Sequence, residues 1–113
     1  MRELDGERFC YVTTTGRRTG KPHTIEIWYA AHDRTLYLLM GGGERADTVR
    51  NLRAGPRVRV RLGDETFEAS ARVVEDADEA ARARTLVPRK YAHEEDGLDE
   101  WAQSALPVAI DLP

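Results

Sequence analysis

The 113-residue sequence contains one cysteine, Cys10, and no apolar run longer than a handful of residues. A lone cysteine excludes an intrachain disulfide and agrees with a reducing compartment, and we expect Cys10 to be a buried thiol in a strand. The densest apolar segment, residues 36–40, is far shorter than the roughly 20 residues that cross a bilayer. Because the N-terminal residues are charged, no signal peptide is predicted. These features predict a cytoplasmic protein without a membrane span.

Recognisable metal-binding and nucleophilic motifs are also missing. The three histidines, His23, His32 and His93, have no metal-ligand spacing and no cysteine partners, so no metal site is predicted. Neither a Gly-x-Ser-x-Gly elbow nor a Ser/His/Asp arrangement is visible. The absence of these motifs indicates that a bound cofactor carries out the chemistry, or that the protein catalyses no reaction.

The net charge of −3 is small, but its distribution along the chain is uneven. Residues 1–61 carry 12 basic and 7 acidic side chains, whereas residues 62–113 carry 5 basic and 13 acidic ones. The basic half would attract a small polyanion, and the acidic half would repel a long one such as DNA. We therefore expect a small anionic ligand and no nucleic-acid partner.

The length predicts one domain, residues 1–113, with a single core. Alternation and turn signals predict six strands, over residues 9–15, 23–30, 35–40, 57–62, 66–75 and 106–112. Helices are predicted over about 45–54 and from a capping box at 76–79 to about Val87, before Pro88. Hairpins predominate and no β-α-β alternation occurs. We therefore predict a mainly β (α+β) fold, an antiparallel barrel with packed helices.

The loop Gly16-Arg17-Arg18-Thr19-Gly20-Lys21-Pro22 is the first candidate for a binding site. A hairpin needs only one or two glycines, so three cations and a hydroxyl exceed what the turn requires. The paired N–H donors of an arginine guanidinium match the oxygens of a phosphate or carboxylate. Flanking glycines let backbone N–H groups approach the same anion. On spacing alone, a phosphate site and a solvated basic turn remain equally good interpretations.

Two weaker candidates follow along the chain. Gly41–Gly43, between a strand and a helix, would let a flat ring or a phosphate lie against the backbone, although a flexible connection explains the glycines as well. Arg50 and Asn51 on the helix would complete an anion clamp, or would belong to a solvated helix face.

Several segments taken in order resemble the deazaflavin-dependent nitroreductase family. They are residues 12–22 (VTTTGRRTGKP), Trp28-Tyr29, Gly42-Gly43 and residues 50–58 (RNLRAGPRV), and Trp101 followed by residues 106–108 (LPV) resembles the family's C-terminal end. Members of this family are split-barrel proteins related to the FMN-binding pyridoxamine-phosphate-oxidase group. The resemblance implies a six-stranded antiparallel split β-barrel with two or three packed helices, and a homodimer.

The resemblance also implies a cofactor, coenzyme F420, whose tail carries a phosphate and glutamates. By analogy, its phosphate and ribityl-like chain would be held by Arg17, Arg18, Thr19, Lys21, His23 and Thr24. Its ring would be lined by Ile25, Trp28, Leu39, Met40 and Gly41, with Arg50 and Asn51 closing the far side. Trp28 and Tyr91 would contact the acceptor substrate.

The sequence departs from the family's pattern around the implied ring site. Met40-Gly41 stands where nitroreductases of the family have a serine-lysine pair, residues 47–49 replace an aromatic-rich helix segment, and only Tyr91 remains of several tyrosines. The cofactor is therefore better supported than any one substrate. Tyr91 would serve as a proton donor or simply as a packed aromatic at a helix end.

The leading hypothesis is an oxidoreductase that passes a hydride from reduced F420 to a small conjugated acceptor such as a quinone, enone or nitro compound. One alternative is an FMN-dependent split-barrel oxidoreductase, whose phosphate would use the same loop. The other is a non-catalytic F420 carrier or sensor, which the loss of polar residues around Met40-Gly41 would suit.

Overall fold

The computed structural model describes residues 3–113 and shows one curled antiparallel sheet with helices packed on it. Within the described residues its strands are β1 (Cys10–Thr15), β2 (Pro22–Ile27), β3 (Ala30–His32), β4 (Thr35–Met40), β5 (Arg57–Leu62), β6 (Glu65–Val73) and β7 (Leu106–Asp111). The helices are α1 (Asp47–Ala54), α2 (Ala77–Tyr91) and α3 (Leu98–Ser104), and a short 3₁₀ turn spans Gly43–Arg45.

The strand order β2-β1-β5-β6-β7-β4-β3 makes the sheet curl. Strands β2 and β3 lie at opposite edges, yet only Trp28 and Tyr29 separate them in the chain. The sheet must therefore bend until its two edges approach each other, which gives a half-closed barrel. The prediction of a mainly β antiparallel split barrel is confirmed.

The predicted count of six strands is wrong, because the segment predicted as one strand over residues 23–30 is broken at Trp28-Tyr29. The break has a specific cause. The Tyr91 hydroxyl accepts a hydrogen bond from the Tyr29 backbone N–H at 3.1 Å and lies 3.0 Å from the Tyr29 carbonyl. A side chain thus satisfies backbone groups that a strand partner would otherwise bind.

The barrel interior follows the predicted alternation. Val58, Val60 and Leu62 point into the core, as predicted for β5. β4 is buried on both faces, also as predicted. Leu36, Leu38 and Met40 pack inside the barrel, whereas Tyr37 and Leu39 pack beneath α2 and α3. Each such side chain stabilises the fold by about 1.5–3 kcal/mol through burial.

Helix α2 begins where the sequence predicts and ends later. Asp76 is its N-cap, because its carboxylate accepts the Glu79 backbone N–H at 2.8 Å. The helix continues through Pro88 to Tyr91, so the predicted end before Pro88 is wrong. The proline removes one backbone donor, whereas the burial of Val87, Pro88 and Tyr91 favours continuing the helix onto the sheet.

The other two helices also differ from the prediction. The single helix predicted over about 45–54 is a 3₁₀ turn followed by α1, and α3 occupies part of a segment predicted as an acidic loop. α1 closes one end of the barrel against β1 and β6, while α2 covers β3, β4 and β7 and packs on α3. Among residues 3–113, no helix is long and apolar enough to span a membrane.

Candidate functional site

The basic loop between β1 and β2 is a closed, internally bonded turn. The Gly16 N–H donates to the Lys21 carbonyl at 2.8 Å, and the Gly20 N–H donates to the Gly16 carbonyl at 2.8 Å. Gly20 has φ +74°, a conformation that favours glycine. A Cβ at Gly16 would lie 3.0 Å from the Lys21 carbonyl and 3.1 Å from the Thr19 hydroxyl, so a side chain there would require these neighbours to shift. The loop therefore presents its cations from an ordered backbone.

Asn51 of α1 anchors this loop from below. It is only 4% exposed, and its Oδ1 accepts the Arg17 backbone N–H at 3.2 Å and Arg17 Nη1 at 2.9 Å. Its Nδ2 donates to the Thr14 hydroxyl of β1 at 3.1 Å. Arg17 also reaches Asp47 at 3.3 Å. The structure thus brings Arg17 and Asn51 together, with Asn51 supporting the loop.

An open pocket of about 310 Å³ lies between the loop and α1. Its lining comprises Gly16, Arg17, Arg18, Thr19, Lys21, Pro22, His23, Asp47 and Asn51. Within residues 3–113, the side chains of Arg18 and Lys21 have no hydrogen bond or ion pair. Asp47 is the one carboxylate among the lining residues, and Arg17 binds it. The pocket therefore offers uncompensated positive charge to an anion.

Not every residue predicted to hold the cofactor faces this pocket. Successive residues of β2 point to opposite faces. His23 lines the pocket, while the Thr24 hydroxyl lies 2.7 Å from that of Thr13 on the outer face of the sheet. Arg50 also lies outside the pocket lining, and its Nε is 3.4 Å from the Glu44 carbonyl.

The residues predicted to line a ring divide between the surface and the core. Ile25 and Trp28 are half-buried, and Gly41 is exposed at the end of β4. The side chains of Leu39 and Met40, 2% and 7% exposed, are packed into the two cores on either face of β4. For these two residues, only backbone atoms at the end of β4 remain available to a ligand in this conformation.

Tyr91 is a structural residue, and the predicted contact of its side chain with substrate is not supported. Its side chain is 1% exposed, and its hydroxyl donates to the Arg8 carbonyl at 2.7 Å while accepting the Tyr29 N–H. Burial raises the pKa of Tyr91 to about 12. A hydroxyl that is buried and bonded in this way is poorly placed to donate a proton to an acceptor. The ring instead stacks on Trp28, with centroids 4.1 Å apart and planes 2° from parallel.

A second cleft, of about 390 Å³, opens beside Trp28. Its lining residues are Trp28, Glu95, Asp96, Gly97, Leu98 and Trp101. The two indoles meet edge to face, with centroids 6.4 Å apart. A Cβ at Gly41 would lie 3.6 Å from Trp101 Nε1, so the end of β4 borders this cleft. The sequence prediction did not assign Trp101 to the site; a tryptophan within an acidic stretch was its only local signal.

The loop pocket and the tryptophan cleft lie at the two ends of β2. His23 lines the first and Trp28 lines the second. Five residues of chain span at most about 18 Å, so one elongated molecule can reach both. The arrangement combines a cationic end for phosphate and carboxylate groups with an aromatic end for planar rings.

A curled antiparallel half-barrel with a cationic loop and an adjacent aromatic cleft defines a split-barrel, cofactor-binding protein. The chain belongs to the F420H(2)-dependent quinone reductase family, whose sequence model matches residues 1–113. It is therefore an oxidoreductase that uses coenzyme F420, which confirms the predicted family, enzyme class and cofactor.

A similar sequence agrees with the family, and two similar structures agree with the fold. A relative from Mycobacterium tuberculosis, named as an F420H(2)-dependent quinone reductase, is 29% identical over 102 residues, which are 86% of this chain and 68% of the relative. A solved structure described as an F420-H2 dependent reductase has a TM-score of 0.74 at 21% identity, covering 100% of this chain and 99% of its own. Another, described as a domain-swapped dimer, has a TM-score of 0.73 at 22% identity and covers 100% and 84%.

Proposed function

We propose that this protein reduces a quinone-like acceptor in the tryptophan cleft, using F420 whose tail is held by the loop pocket. The observation that carries the proposal is the ordered loop whose Arg18 and Lys21 have no acidic partner among the described residues. The family name supplies the acceptor class.

The residues of the loop pocket fit the cofactor's anionic tail. Arg18 and Lys21 supply free donors for phosphate and carboxylate oxygens, and Arg17 supplies a third cation from a position that Asn51 maintains. Charge-assisted hydrogen bonds of this kind are shorter and stronger than neutral ones. Thr19 and His23 complete the polar lining, while Thr24 would act only indirectly, because its hydroxyl is bonded on the other face of β2.

The cofactor's ring fits along the edge that leads from β2 to the tryptophan cleft. Ile25, Trp28 and the backbone at Gly41 would border it, and the absence of a side chain at Gly41 permits close approach. When bound, reduced F420 supplies the hydride. The protein's contribution is to hold the acceptor against the ring, since Tyr91 fixes the Trp28 ring plane and Trp101, which meets Trp28 edge to face, forms the adjoining wall of the cleft.

The loop assignment is tested with the double variant Arg18→Ala/Lys21→Ala. Loss of two charge-assisted hydrogen bonds should weaken F420 binding by roughly 100-fold or more, measured by isothermal titration calorimetry. The matched control is Arg82→Ala/Arg89→Ala, which removes the same charge from the exposed side of α2 and should bind normally. Equal affinities for the two variants, with both folded by circular dichroism, would disprove the loop assignment.

Two alternative functions make different predictions in the same experiments. An FMN-dependent enzyme would bind FMN tightly in a parallel titration and F420 weakly or not at all. A carrier or sensor would bind F420 but would not accelerate reoxidation of the reduced cofactor by menadione above the protein-free rate. Acceleration by the purified protein therefore excludes the carrier, and preference for F420 excludes the FMN enzyme.

We further propose that the protein works as a homodimer in the cytoplasm. Support for the dimer comes from the uncovered outer face of β2, β1, β5 and β6, since α2 covers β3, β4 and β7, and from the domain-swapped dimer among similar structures. Support for the cytoplasm comes from the single cysteine, which forms no intrachain disulfide.

A further inference from the structure

The two ligand pockets carry opposite charge. The loop pocket presents Arg17, Arg18 and Lys21, whereas the rim of the tryptophan cleft presents Glu95 and Asp96. The walls of the cleft are Trp28, Trp101 and Leu98. The cleft is therefore an aromatic slot with an anionic entrance.

The carboxylates of this rim have no cation that neutralises them within residues 3–113. The neighbouring Glu94 is bound by Arg8 at 2.5 Å. Glu95 and Asp96 make no hydrogen bond or ion pair with any described residue, and both are exposed. Asp99 and Glu100 follow in the first turn of α3 and add negative charge of their own. The negative potential at the cleft entrance is thus uncompensated.

We propose that this acidic rim selects the acceptor by charge, admitting neutral and cationic aromatic acceptors and disfavouring anionic ones. The inference rests on the proposed function, because it assumes that the acceptor enters the tryptophan cleft. Two carboxylates at about 6 Å from an anionic substituent, in a water-like dielectric, disfavour it about tenfold without salt and about threefold at physiological ionic strength. The indole faces add to the preference, since their negative quadrupole attracts cations.

The same charge pattern orients the cofactor. An anionic tail is favoured at the loop pocket and disfavoured at the cleft, so a long molecule with one anionic end binds in one direction along β2. The cleft then remains open to the acceptor. Acceptor selection and cofactor orientation are two consequences of one electrostatic arrangement.

The kinetic test compares a neutral and an anionic quinone in the same variants. The specificity constant kcat/KM is measured with reduced F420 for menadione and for 1,4-naphthoquinone-2-sulfonate, and the ratio of the two constants is followed. Intrinsic reactivity of each quinone cancels when ratios are compared between proteins. The variant Glu95→Gln/Asp96→Asn should shift the ratio about threefold towards the sulfonate at physiological salt.

A matched control changes the same charge elsewhere. Glu75→Gln/Asp78→Asn removes two exposed carboxylates near the start of α2. Asp78 is about 20 Å along the helix from Tyr91, which stacks on Trp28, and this exceeds the screening length of about 8 Å at physiological salt. The control should leave the ratio within twofold of the wild-type value. An equal shift in control and cleft variant would overturn the inference, as would an unchanged ratio in the cleft variant.

Tryptophan fluorescence gives a readout that does not depend on turnover. The chain has two tryptophans, Trp28 and Trp101, and both line the cleft. Quenching titrations with each quinone, in the absence of F420, report occupancy of the cleft directly. We expect menadione to bind at least threefold more tightly than its sulfonated analogue in the wild type, and this difference to shrink in Glu95→Gln/Asp96→Asn.

The outcomes separate this inference from the proposed function. Reduction of menadione together with equal cleft affinities for both quinones rejects charge selection and leaves the reductase assignment intact. Failure of the wild type to reduce either quinone rejects the proposed quinone reduction in the tryptophan cleft and, with it, acceptor selection by the rim.

Discussion

At the scale of single residues, Asn51 decides how the cationic loop is held. Its side-chain oxygen accepts hydrogen bonds from Arg17, and its side-chain nitrogen donates one to Thr14. The residue is only 4% exposed. The sequence places Asn51 beside Arg50 and suggests that the two form an anion clamp. In the structure Asn51 points towards the loop, whereas Arg50 is exposed to solvent. The two residues therefore do not form a clamp, and Asn51 supports the loop that would bind the ligand.

Replacing this amide should therefore affect stability and binding together. Asn51→Ala leaves the Arg17 N–H without its acceptor and the Thr14 hydroxyl without the donor from Asn51, and we expect a loss of about 1–3 kcal/mol in the free energy of unfolding. Urea denaturation measures this loss, and calorimetry should show weaker F420 binding. Arg50→Ala on the same helix is the control and should change stability by less than about 0.5 kcal/mol. Comparable stabilities for the two variants would contradict the role given to Asn51.

At the scale of elements, a cluster of charged side chains joins β6, β7 and α2. Arg72 of β6 donates to both carboxylate oxygens of Glu79 at 2.7 and 2.8 Å and to Asp111 at 2.8 Å. The Tyr37 hydroxyl donates to Glu79 at 2.7 Å. Hydrogen bonds from Arg72 and then Tyr37 lower the pKa of Glu79 to about 2, and Arg72 also lowers the pKa of Asp111. The cluster ties the N-terminal turn of α2 to β6 and β7 in the middle of the sheet, at the opposite end of the helix from Tyr91.

These lowered pKa values predict how stability changes with acid. A carboxyl group whose pKa is lower in the folded state stabilises the fold above its unfolded pKa of about 4.3, and loses that contribution as the pH falls towards 2. Allowing for solvent screening, Arg72→Ala should cost about 1–2 kcal/mol at pH 7, and the difference from wild type should shrink between pH 5 and pH 2.

Thermal unfolding measured across this pH range checks the prediction. The control is Arg53→Ala, whose partner Glu44 is exposed, and it should change stability little at any pH. A constant difference between wild type and Arg72→Ala from pH 7 to pH 2 would argue against the cluster.

At the scale of the whole molecule, the helices cover one side of the curled sheet and leave the other side open. α2 packs over β3, β4 and β7, and α3 packs against α2. The outer face around β1, β2 and β5 instead presents Tyr11, Thr13, Thr24, Arg59 and Arg61 to solvent or to a partner. We expect this face to form the interface of the proposed homodimer.

Sedimentation equilibrium should find twice the chain mass at micromolar concentration. Thr13→Arg places another cation beside Arg59 and Arg61 on the same face and should weaken self-association at least tenfold by like-charge repulsion. Ala81→Arg on the exposed surface of α2 is the matched control and should remain dimeric. A wild-type monomer would refute the dimer, and an unaffected Thr13→Arg dimer would place the interface elsewhere.

The amino-acid sequence by itself determined what depends on neighbours along the chain. Alternation predicts the inward face of β5 and the double burial of β4, and Asp76 with Glu79 marks the start of α2. The loop of residues 16–22 is likewise a local motif. Its close backbone contacts, from Gly16 to Lys21, lie within that segment and can be anticipated from its glycines.

Only the tertiary structure decided what depends on contacts between distant parts of the chain. The Tyr91 hydroxyl binds Tyr29, 62 residues away, at the point where one predicted strand is split into β2 and β3, and the Tyr91 side chain is buried. Asn51 holds Arg17 across 34 residues, and Trp101 meets Trp28 only once α3 packs against α2. Such hydrogen bonds and ring contacts produce no periodic pattern in the sequence, because the curl of the sheet determines which residues meet.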